Sequence, residues 1–308
     1  HTQVRMMIGN ADLVILLSPE KETNVAINLS NPPGKQFVFS GQYATINNEW
    51  CQPELITKIP PVYSDGDLLD SIVGISANEF KKRCINQYKR YVTHNNAQLQ
   101  FSEDTRTLAN LSCAFDCLEN LQATHYCLQT AYQKKENITR EQAFAAFLDV
   151  YLPDDFHNYL KDFPVNHPLA LYCYNYRNVA MDLYDTHKDP LAYEKNLLKN
   201  APLTKEEQTL IHQYETAFKA GISFQQESEL MALSAKYFKE NDLFRWESFS
   251  KAKERLSNII QDSTSLIVDY IRAIYMRSSF YNLQPLTPRQ ELMASEITNP
   301  IFLGIIQD

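Results

Sequence analysis

The sequence predicts a mainly α-helical protein whose antiparallel helix pairs stack as a solenoid or form an irregular bundle, with a small N-terminal β or mixed subdomain. Five of the seven glycines and six of the 14 prolines lie in the first 74 residues, where turns must be frequent. No proline occurs from residue 62 to 152 or from 203 to 284, and both stretches are too long to be loops. We therefore divide the chain into a subdomain at residues 1–75 and a helical domain at residues 76–308.

The N-terminal subdomain contains three short runs of β-branched and aromatic residues that are typical of strands. They lie at residues 13–17, 25–29 and 37–39, and Pro19 and the Pro32-Pro33 pair separate them. Because proline favours turns, this alternation predicts short strands joined by tight connections.

Helix-capping patterns mark where helices begin in the rest of the chain. In each pattern a Ser or Thr caps the helix start, and a Glu or Gln three residues later bonds back to the cap. The pairs are Ser76/Glu79, Thr139/Gln142, Thr204/Glu207, Ser223/Gln226 and Thr287/Gln290. Pro288 takes the favoured first helical position after Thr287, and Asp189-Pro190 predicts a further helix start in the same way.

One helix is predicted in detail over residues 205–220. Its apolar residues fall on one stripe, and Gly221 follows in the position that favours a left-handed cap. The expected starts of this helix and the next three are Thr204, Ser223, Asp242 and about Asp262 or Ser263. This even spacing predicts a helix-pair repeat of roughly 38–40 residues, with an irregular bundle as the alternative.

Residues 232–238, Ala-Leu-Ser-Ala-Lys-Tyr-Phe, followed by Trp246, Phe249 and Ala252, carry the small and aromatic residue types of a helical repeat. The chain therefore resembles tetratricopeptide-like repeat proteins, chiefly over residues 204–281. The resemblance implies stacked helix pairs with a concave face for a protein partner. It carries over no binding residue, because the family's spacing, its glycine and its closing proline are absent.

The content of Asn and Gln, 42 residues in all, suggests a second resemblance. It is similar to the composition of effector proteins that intracellular bacterial pathogens deliver into host cells, which implies a role in virulence. A genome rich in A and T would produce the same composition.

Charge and cysteine content narrow the functional classes. There are 29 Lys and Arg residues against 37 Asp and Glu, a net charge of −8, the opposite of what nucleic-acid binding needs. The six cysteines form no CxxC pair, as expected of reduced thiols in a cytosolic-type environment. We expect no transmembrane segment, and the effector resemblance implies that the environment is the host cell. The sequence also lacks the Walker, dinucleotide, HExxH and EF-hand motifs.

Two aspartates on a predicted loop form the first catalytic alternative. Asp65 and Asp67 stand in Ser-Asp-Gly-Asp, which resembles the DxD element of glycosyltransferases. Carboxylates at that spacing can hold Mg²⁺ or Mn²⁺ beside a nucleotide diphosphate. The structural alternative is a turn at Asp65-Gly66, followed by a helix that Asp67 caps.

Two cysteines have the sequence context of a catalytic residue. Cys51 lies outside the predicted helical core and is the candidate nucleophile of a cysteine hydrolase, which needs a depressed thiol pKa and an oriented base. Cys84 and Arg90 have the spacing of a phosphatase loop. The capping box at Ser76 instead predicts a helix there, and the glycines of such a loop are missing.

Four possible zinc ligands lie close together in the sequence, namely Cys113, Cys117, His125 and Cys127. The first two fall on an apolar helical stripe, where thiols usually pack as small hydrophobic groups. We therefore expect no metal ion and no cofactor.

One strongly basic segment interrupts this acidic chain. The helix predicted for residues 77–92 contains five cations and a single acidic residue, Glu79. The cations are Lys81, Lys82, Arg83, Lys89 and Arg90. Such a helix attracts an acidic protein partner or an anionic membrane surface, whereas a solvated face without a partner is the alternative.

These patterns favour a noncatalytic binding or regulatory protein whose partner is a host protein or a second bacterial effector. The 18 tyrosines suit this role, because Tyr combines a large apolar contact area with one hydrogen-bonding group. The alternative is an effector enzyme, either a glycosyltransferase-like protein that uses Asp65 and Asp67 or a cysteine hydrolase that uses Cys51.

Overall fold

The helices dominate the computed structural model, which describes residues 2–8, 11–17, 22–32, 35–147, 152, 155–185, 191–262, 265–281, 285–300 and 302–303. They are, in chain order, α1 (Ala44–Trp50), α2 (Gly66–Ser71), α3 (Ala77–Ala97), α4 (Glu103–Gln122), α5 (Thr124–Glu136), α6 (Arg140–Phe147), α7 (Tyr176–Asp185), α8 (Ala192–Asn200), α9 (Lys205–Ala220), α10 (Glu227–Lys236), α11 (Phe238–Ile260), α12 (Leu266–Tyr281) and α13 (Pro288–Ser295). Short 3₁₀ helices lie at Val62–Ser64, Phe156–Asp162 and Pro168–Tyr172. The mainly helical fold class is confirmed.

Four strands form two antiparallel pairs near the N-terminus. They are β1 (Thr2–Ile8) with β2 (Ala11–Leu17), and β3 (Thr23–Ile27) with β4 (Phe37–Gly41). Thr2 lies opposite Leu17 in the first pair, and Thr23 lies opposite Gly41 in the second. The three predicted strands are confirmed as β2, β3 and β4, whereas β1 lies outside the runs from which strands were predicted.

The chain forms two compact units that are interleaved along the sequence. One combines His1–Asp65, Asn78–Ala123 and Asp162–Val179, and the other combines Gly66–Ala77, Thr124–Lys161 and Ala180–Asp308. The strands therefore share a unit with most of α3 and with α4. The division between residues 75 and 76 separates the described strands from the long helices, and as a domain boundary it stays a prediction.

Helix α1 joins the two strand pairs of the first unit through adjacent asparagines. Asn47 accepts a hydrogen bond from the Leu16 N–H at 2.9 Å and donates one to the Leu16 carbonyl at 3.1 Å. Asn48 forms the same pair of bonds with Phe39, at 2.8 and 3.0 Å. Each amide thereby satisfies a backbone N–H and C=O that the strand pairing leaves open.

Helix α4 is the most deeply buried helix segment of the first unit. Its fully enclosed side chains include Ala109, Cys113, Ala114, Phe115, Leu118 and Leu121. The helix begins after Ser102, whose hydroxyl caps the Thr105 N–H. One oxygen of Glu49 accepts hydrogen bonds from the Ser102 N–H, the Ser102 hydroxyl and the Thr105 hydroxyl, which places a negative charge at the positive end of the helix.

Three of the predicted capping boxes are confirmed. The Thr204 and Thr287 boxes contain both reciprocal bonds, and Pro288 occupies the first turn of α13. Thr139 and Gln142 form the same two bonds at the start of α6. Helix α3 begins directly after Ser76, as predicted.

One of the predicted helix starts, at Ser223, is wrong, and another lies outside the residues that the structure describes. Ser223 is not a cap, because α10 begins four residues later and the Ser223 hydroxyl instead donates to the Glu141 carboxylate at 3.3 Å. The Asp189-Pro190 start lies outside the described residues.

The predicted helix over residues 205–220 is confirmed as α9, but the even spacing that followed from it is wrong. Asp242 lies inside α11 and begins no helix. Helix α10 has 10 residues and α11 has 23, and only Tyr237 separates them. These unequal lengths exclude the regular starts on which the repeat period was based.

A buried ionic network joins α12 to the residues after α13. The carboxylate of Asp269, which is fully buried, accepts hydrogen bonds from Arg272 at 2.5 Å and from the Thr298 and Asn299 N–H groups at 3.0 and 2.9 Å. Arg272 also donates to the side chain of Glu296 at 3.0 Å. The network therefore holds residues 296–299 against α12.

Replacing Gly221 by alanine is expected to lower the free energy of unfolding by more than about 1–3 kcal/mol, the usual cost of backbone strain alone. Gly221 has a φ of 65°, and a Cβ there would lie 2.5 Å from the Glu141 carbonyl oxygen. Gly74 is the matched control, since its φ is 76° and nothing lies within 4 Å of its added Cβ. Urea unfolding should show a larger loss for Gly221→Ala than for Gly74→Ala; equal losses would contradict the packing.

Candidate functional site

The basic segment is part of α3, which extends to Ala97. One face of this helix is buried through Phe80 and Cys84, and the Tyr88 ring stacks on Phe163 with the ring centroids 5.0 Å apart. This packing fixes which way the helix is turned. It directs the opposite face, where most of the cations lie, toward solvent.

Four of the five cations of α3 are exposed, namely Lys82, Arg83, Lys89 and Arg90, and Lys81 is half-buried. They form two columns, because Lys82 and Lys89 are seven residues apart, as are Arg83 and Arg90. Seven residues are two helical turns, or roughly 10 Å along the axis. We call these four residues the basic face.

Only part of the basic face is neutralised. Arg83 forms an ion pair with Glu79 at 3.3 Å, and both side chains are about half exposed. Within the described part of the chain, Lys82, Lys89 and Arg90 take part in no ion pair. Three unpaired cations therefore lie within two turns on a protein of net charge −8.

The two candidate glycosyltransferase aspartates lie at the start of α2. Asp65 follows the 3₁₀ helix Val62–Ser64 in an extended conformation, and Asp67 is in the first turn of α2. Asp70, farther along this helix, forms an ion pair with Lys134 at 2.7 Å. Asp67 thus lies inside α2 and not at the cap position expected for it, and a metal-binding role for the pair stays a prediction.

Cys51 follows α1 and is partly buried against the cluster of Ile15, Phe37 and Phe39. Burial raises the pKa of its thiol to about 11, so the thiol is protonated at neutral pH. A nucleophilic cysteine needs the opposite shift. The environment of Cys51 is that of a small hydrophobic side chain, and the hydrolase hypothesis gains no support from it.

The other cysteines resemble Cys51 in their surroundings. Cys84 lies within α3, not in a phosphate-binding loop, and burial raises the pKa of its thiol to about 12. Cys113 and Cys117 are buried on α4, and Cys127 is buried on α5. Among the residues that the structure describes, no three His, Cys, Asp or Glu side chains are grouped so that they could hold a metal ion.

A second candidate site was not predicted from the sequence. The chain between α1 and α2 has no regular secondary structure at residues 56–61, and side chains of α3 and α4 hold the backbone of residues 54–62. We call these side chains the backbone clamp. They are His94, Asn95, Cys113, Asp116 and Asn120.

The α3 part of the backbone clamp binds the beginning of the segment. The His94 ring nitrogen Nε2 lies 2.8 Å from the Glu54 carbonyl oxygen. Asn95 accepts a hydrogen bond from the Ile56 N–H at 2.9 Å and donates to the Ile56 carbonyl at 2.8 Å. The Cys113 thiol of α4 donates to the same carbonyl at 3.3 Å.

The α4 part binds the end of the segment. Asp116 accepts a hydrogen bond from the Ile59 N–H at 2.7 Å. Asn120 accepts one from the Val62 N–H at 2.9 Å and donates to the Pro60 carbonyl at 3.1 Å. Polar side chains on the buried stripe of α4 are the signal that could have revealed this site, because buried amides and carboxylates need partners.

Asp116 is the titratable centre of the backbone clamp. It is 8% exposed, and burial raises the pKa of its carboxyl group to about 6, although the Ile59 N–H and the Asn175 amide both donate to it. Lys58 lies near enough to oppose this shift, whereas Glu119 adds to it. The carboxyl group therefore changes charge near neutral pH.

None of the helices that the structure describes combines the length and apolar composition of a membrane-spanning segment. Comparisons with protein-family models, with curated proteins and with solved structures find no match for this chain.

Proposed function

We propose that this chain is a noncatalytic binding protein that holds an acidic segment of a protein partner on the basic face of α3. The observation that carries the proposal is the set of three unpaired cations, Lys82, Lys89 and Arg90, within two turns of one exposed helix face. Cations that are neither paired nor buried contribute little to folding, so their clustering needs another explanation.

Charge complementarity identifies the partner's chemistry. The chain as a whole carries a net charge of −8, so an acidic partner is repelled from most of its surface. The basic face attracts the same partner and fixes where it docks. Electrostatic recognition of this kind supplies specificity and fast association more than raw affinity.

The remaining helices serve as the scaffold in this proposal. A tetratricopeptide-like stacking of helix pairs, and a role as a bacterial effector that controls a host protein or a second effector, stay predictions. The burial of Cys51 and the position of Asp67 inside α2 favour neither of the two enzyme reactions.

The proposal is tested by the binding of a fluorescent decaglutamate peptide, followed by anisotropy at low ionic strength. The triple variant Lys82→Glu, Lys89→Glu, Arg90→Glu should bind it at least about tenfold more weakly than the unaltered protein. Binding to the unaltered protein should weaken as salt is raised from about 0.01 to 0.15 M, because screening shortens the range of these charges.

The matched control reverses three exposed lysines on other helices, Lys199→Glu, Lys205→Glu and Lys219→Glu, and so makes the same change in net charge. It should retain most of the peptide binding. If both triple variants lost the same amount of peptide binding, the effect would come from net charge alone. That result would contradict a docking site on α3. Tighter binding to phosphatidylserine vesicles or to an oligonucleotide than to the peptide would contradict a protein partner.

A further inference from the structure

We infer that the backbone clamp is a groove for an extended, proline-containing peptide of a partner protein, and that residues 54–62 occupy it as an internal competitor. The clamp and the basic face share α3 but use different residues of it, so this inference does not rest on the function proposed above.

The contacts of the clamp go to the backbone of its occupant. Every hydrogen bond that His94, Asn95, Asp116 and Asn120 form with the segment goes to one of its N–H or C=O groups. A groove that binds main-chain groups accepts any extended chain whose side chains fit the neighbouring apolar sites. Sequence preference therefore comes from those apolar sites.

The N–H groups that the clamp uses recur every third residue, at Ile56, Ile59 and Val62. Three residues make one turn of a polyproline II helix, and Pro61 has the matching φ of −69° and ψ of 125°. The two prolines fall at positions 60 and 61, where the clamp uses no N–H group. The groove thus fits a chain in which prolines stand between the bonded residues.

Apolar anchors complete the recognition pattern. Leu55, Ile59 and Val62 are buried, at 6%, 3% and 7% exposure, whereas Lys58 and Pro60 are exposed. One side of the segment therefore faces the groove and the other faces solvent. The pattern that fits is an apolar residue, three variable residues, a second apolar residue, two prolines and a third apolar residue.

Hydrogen bonds from the clamp and apolar contacts, such as those of Leu55 with Phe101 and Ala109, attach the segment. Its backbone–backbone hydrogen bonds in the described structure are local ones, such as Leu55 N–H to Gln52 and Ser64 N–H to Pro61. No strand pairing and no helix bond of α3 or α4 depends on it. If the segment left the clamp, the helices would stay intact and the five side chains of the clamp would be exposed. A peptide with the same backbone groups could then form the same hydrogen bonds.

The first test loosens the internal competitor without changing a contact. The double variant Pro60→Gly, Pro61→Gly keeps every bonded N–H and C=O group but makes the free segment more flexible. A fluorescent peptide of residues 54–63 should bind this variant about tenfold more tightly than it binds the unaltered protein. The same peptide with Ile59→Asp should not bind, and adding Asn120→Ala to the double variant should abolish the gain.

The second test uses the unaltered protein, so it does not depend on a variant that folds. Hydrogen exchange at the Ile56, Ile59 and Val62 amides should be at least about tenfold less protected than at Leu118 in α4, because the segment opens before the helices do. If all four amides exchanged only when the whole protein unfolds, the segment amides would be as well protected as Leu118. That result would overturn the inference. A concentration-dependent dimer of the double variant that captures no peptide would also overturn it, since the occupant would then be a second copy.

Discussion

Replacing Asp269 by alanine is expected to lower the free energy of unfolding by about 3–5 kcal/mol, because the buried Arg272 loses its fully buried acidic partner and keeps only the partly exposed Glu296. Asp269 is fully buried, and its bond to Arg272 lies in a part of the second unit that solvent does not reach. The same carboxylate accepts hydrogen bonds from the N–H groups of Thr298 and Asn299, and both bonds are lost in the variant. Urea unfolding followed by circular dichroism measures the loss.

Two comparisons separate this effect from a general effect of removing charge. Glu254→Ala, on the exposed side of α11, should change the free energy of unfolding by less than about 0.5 kcal/mol. The double variant Asp269→Ala, Arg272→Met should lose less than the sum of the two single variants, because the buried arginine and its buried partner are removed together. A loss below about 1 kcal/mol for Asp269→Ala would show that the ion pair contributes little.

Asp116 is expected to make the first unit's stability depend on pH, with a total effect of about 3 kcal/mol. Burial raises the pKa of this carboxyl group from 3.8 to about 6, so the folded chain holds the proton more tightly than the unfolded chain. The stabilisation is complete below about pH 4. It is lost as the pH rises through about 6, where the buried carboxyl group ionises.

The variant Asp116→Asn removes the titration and keeps an acceptor for the Ile59 N–H. The free energy of unfolding is measured for both proteins from pH 4 to pH 7.5. In the difference between the two values, the contributions of the other carboxyl groups cancel. The unaltered protein should lose about 3 kcal/mol relative to the variant as the pH rises through this range. Parallel pH profiles would show that Asp116 titrates as an exposed carboxyl group does.

Local features of the fold could be predicted from the sequence. The capping boxes at Thr204 and Thr287 and the left-handed Gly221 depend on residues within one turn of each other, so their spacing contains the whole signal. The strands β2, β3 and β4 followed from runs of β-branched and aromatic residues. Strand β1 was not predicted, although Val4, Met6 and Ile8 stand at every second position, as the apolar residues of a strand do.

Tertiary packing decided the features that the sequence could not predict. Asp242 is a good cap residue in isolation, but it lies in the interior of α11, where packing of a 23-residue helix overrides the local preference. The predicted helix-pair repeat required a helix start at Asp242, so the even spacing was wrong as well. Ser223 was lost as a cap for a similar reason, since its hydroxyl bonds to Glu141, which is 82 positions away.

The basic face was visible in the sequence because its residues lie on one helix. The backbone clamp was not visible, since Asp116 and Asn120 bond to residues 57 and 58 positions away. The spacing of neighbouring residues does not predict hydrogen bonds between positions so far apart in the sequence. The burial of Cys51 had the same origin, because the core that covers it comes from β2 and β4.

The binding function is tested most directly by NMR spectroscopy of the ¹⁵N-labelled protein during titration with the decaglutamate peptide. The account predicts that chemical shifts change first and most at the amides of Lys82, Lys89 and Arg90, while those of Lys205 and Lys219 on α9 stay unchanged. Changes spread evenly over exposed lysines, or absent from α3, would contradict the account.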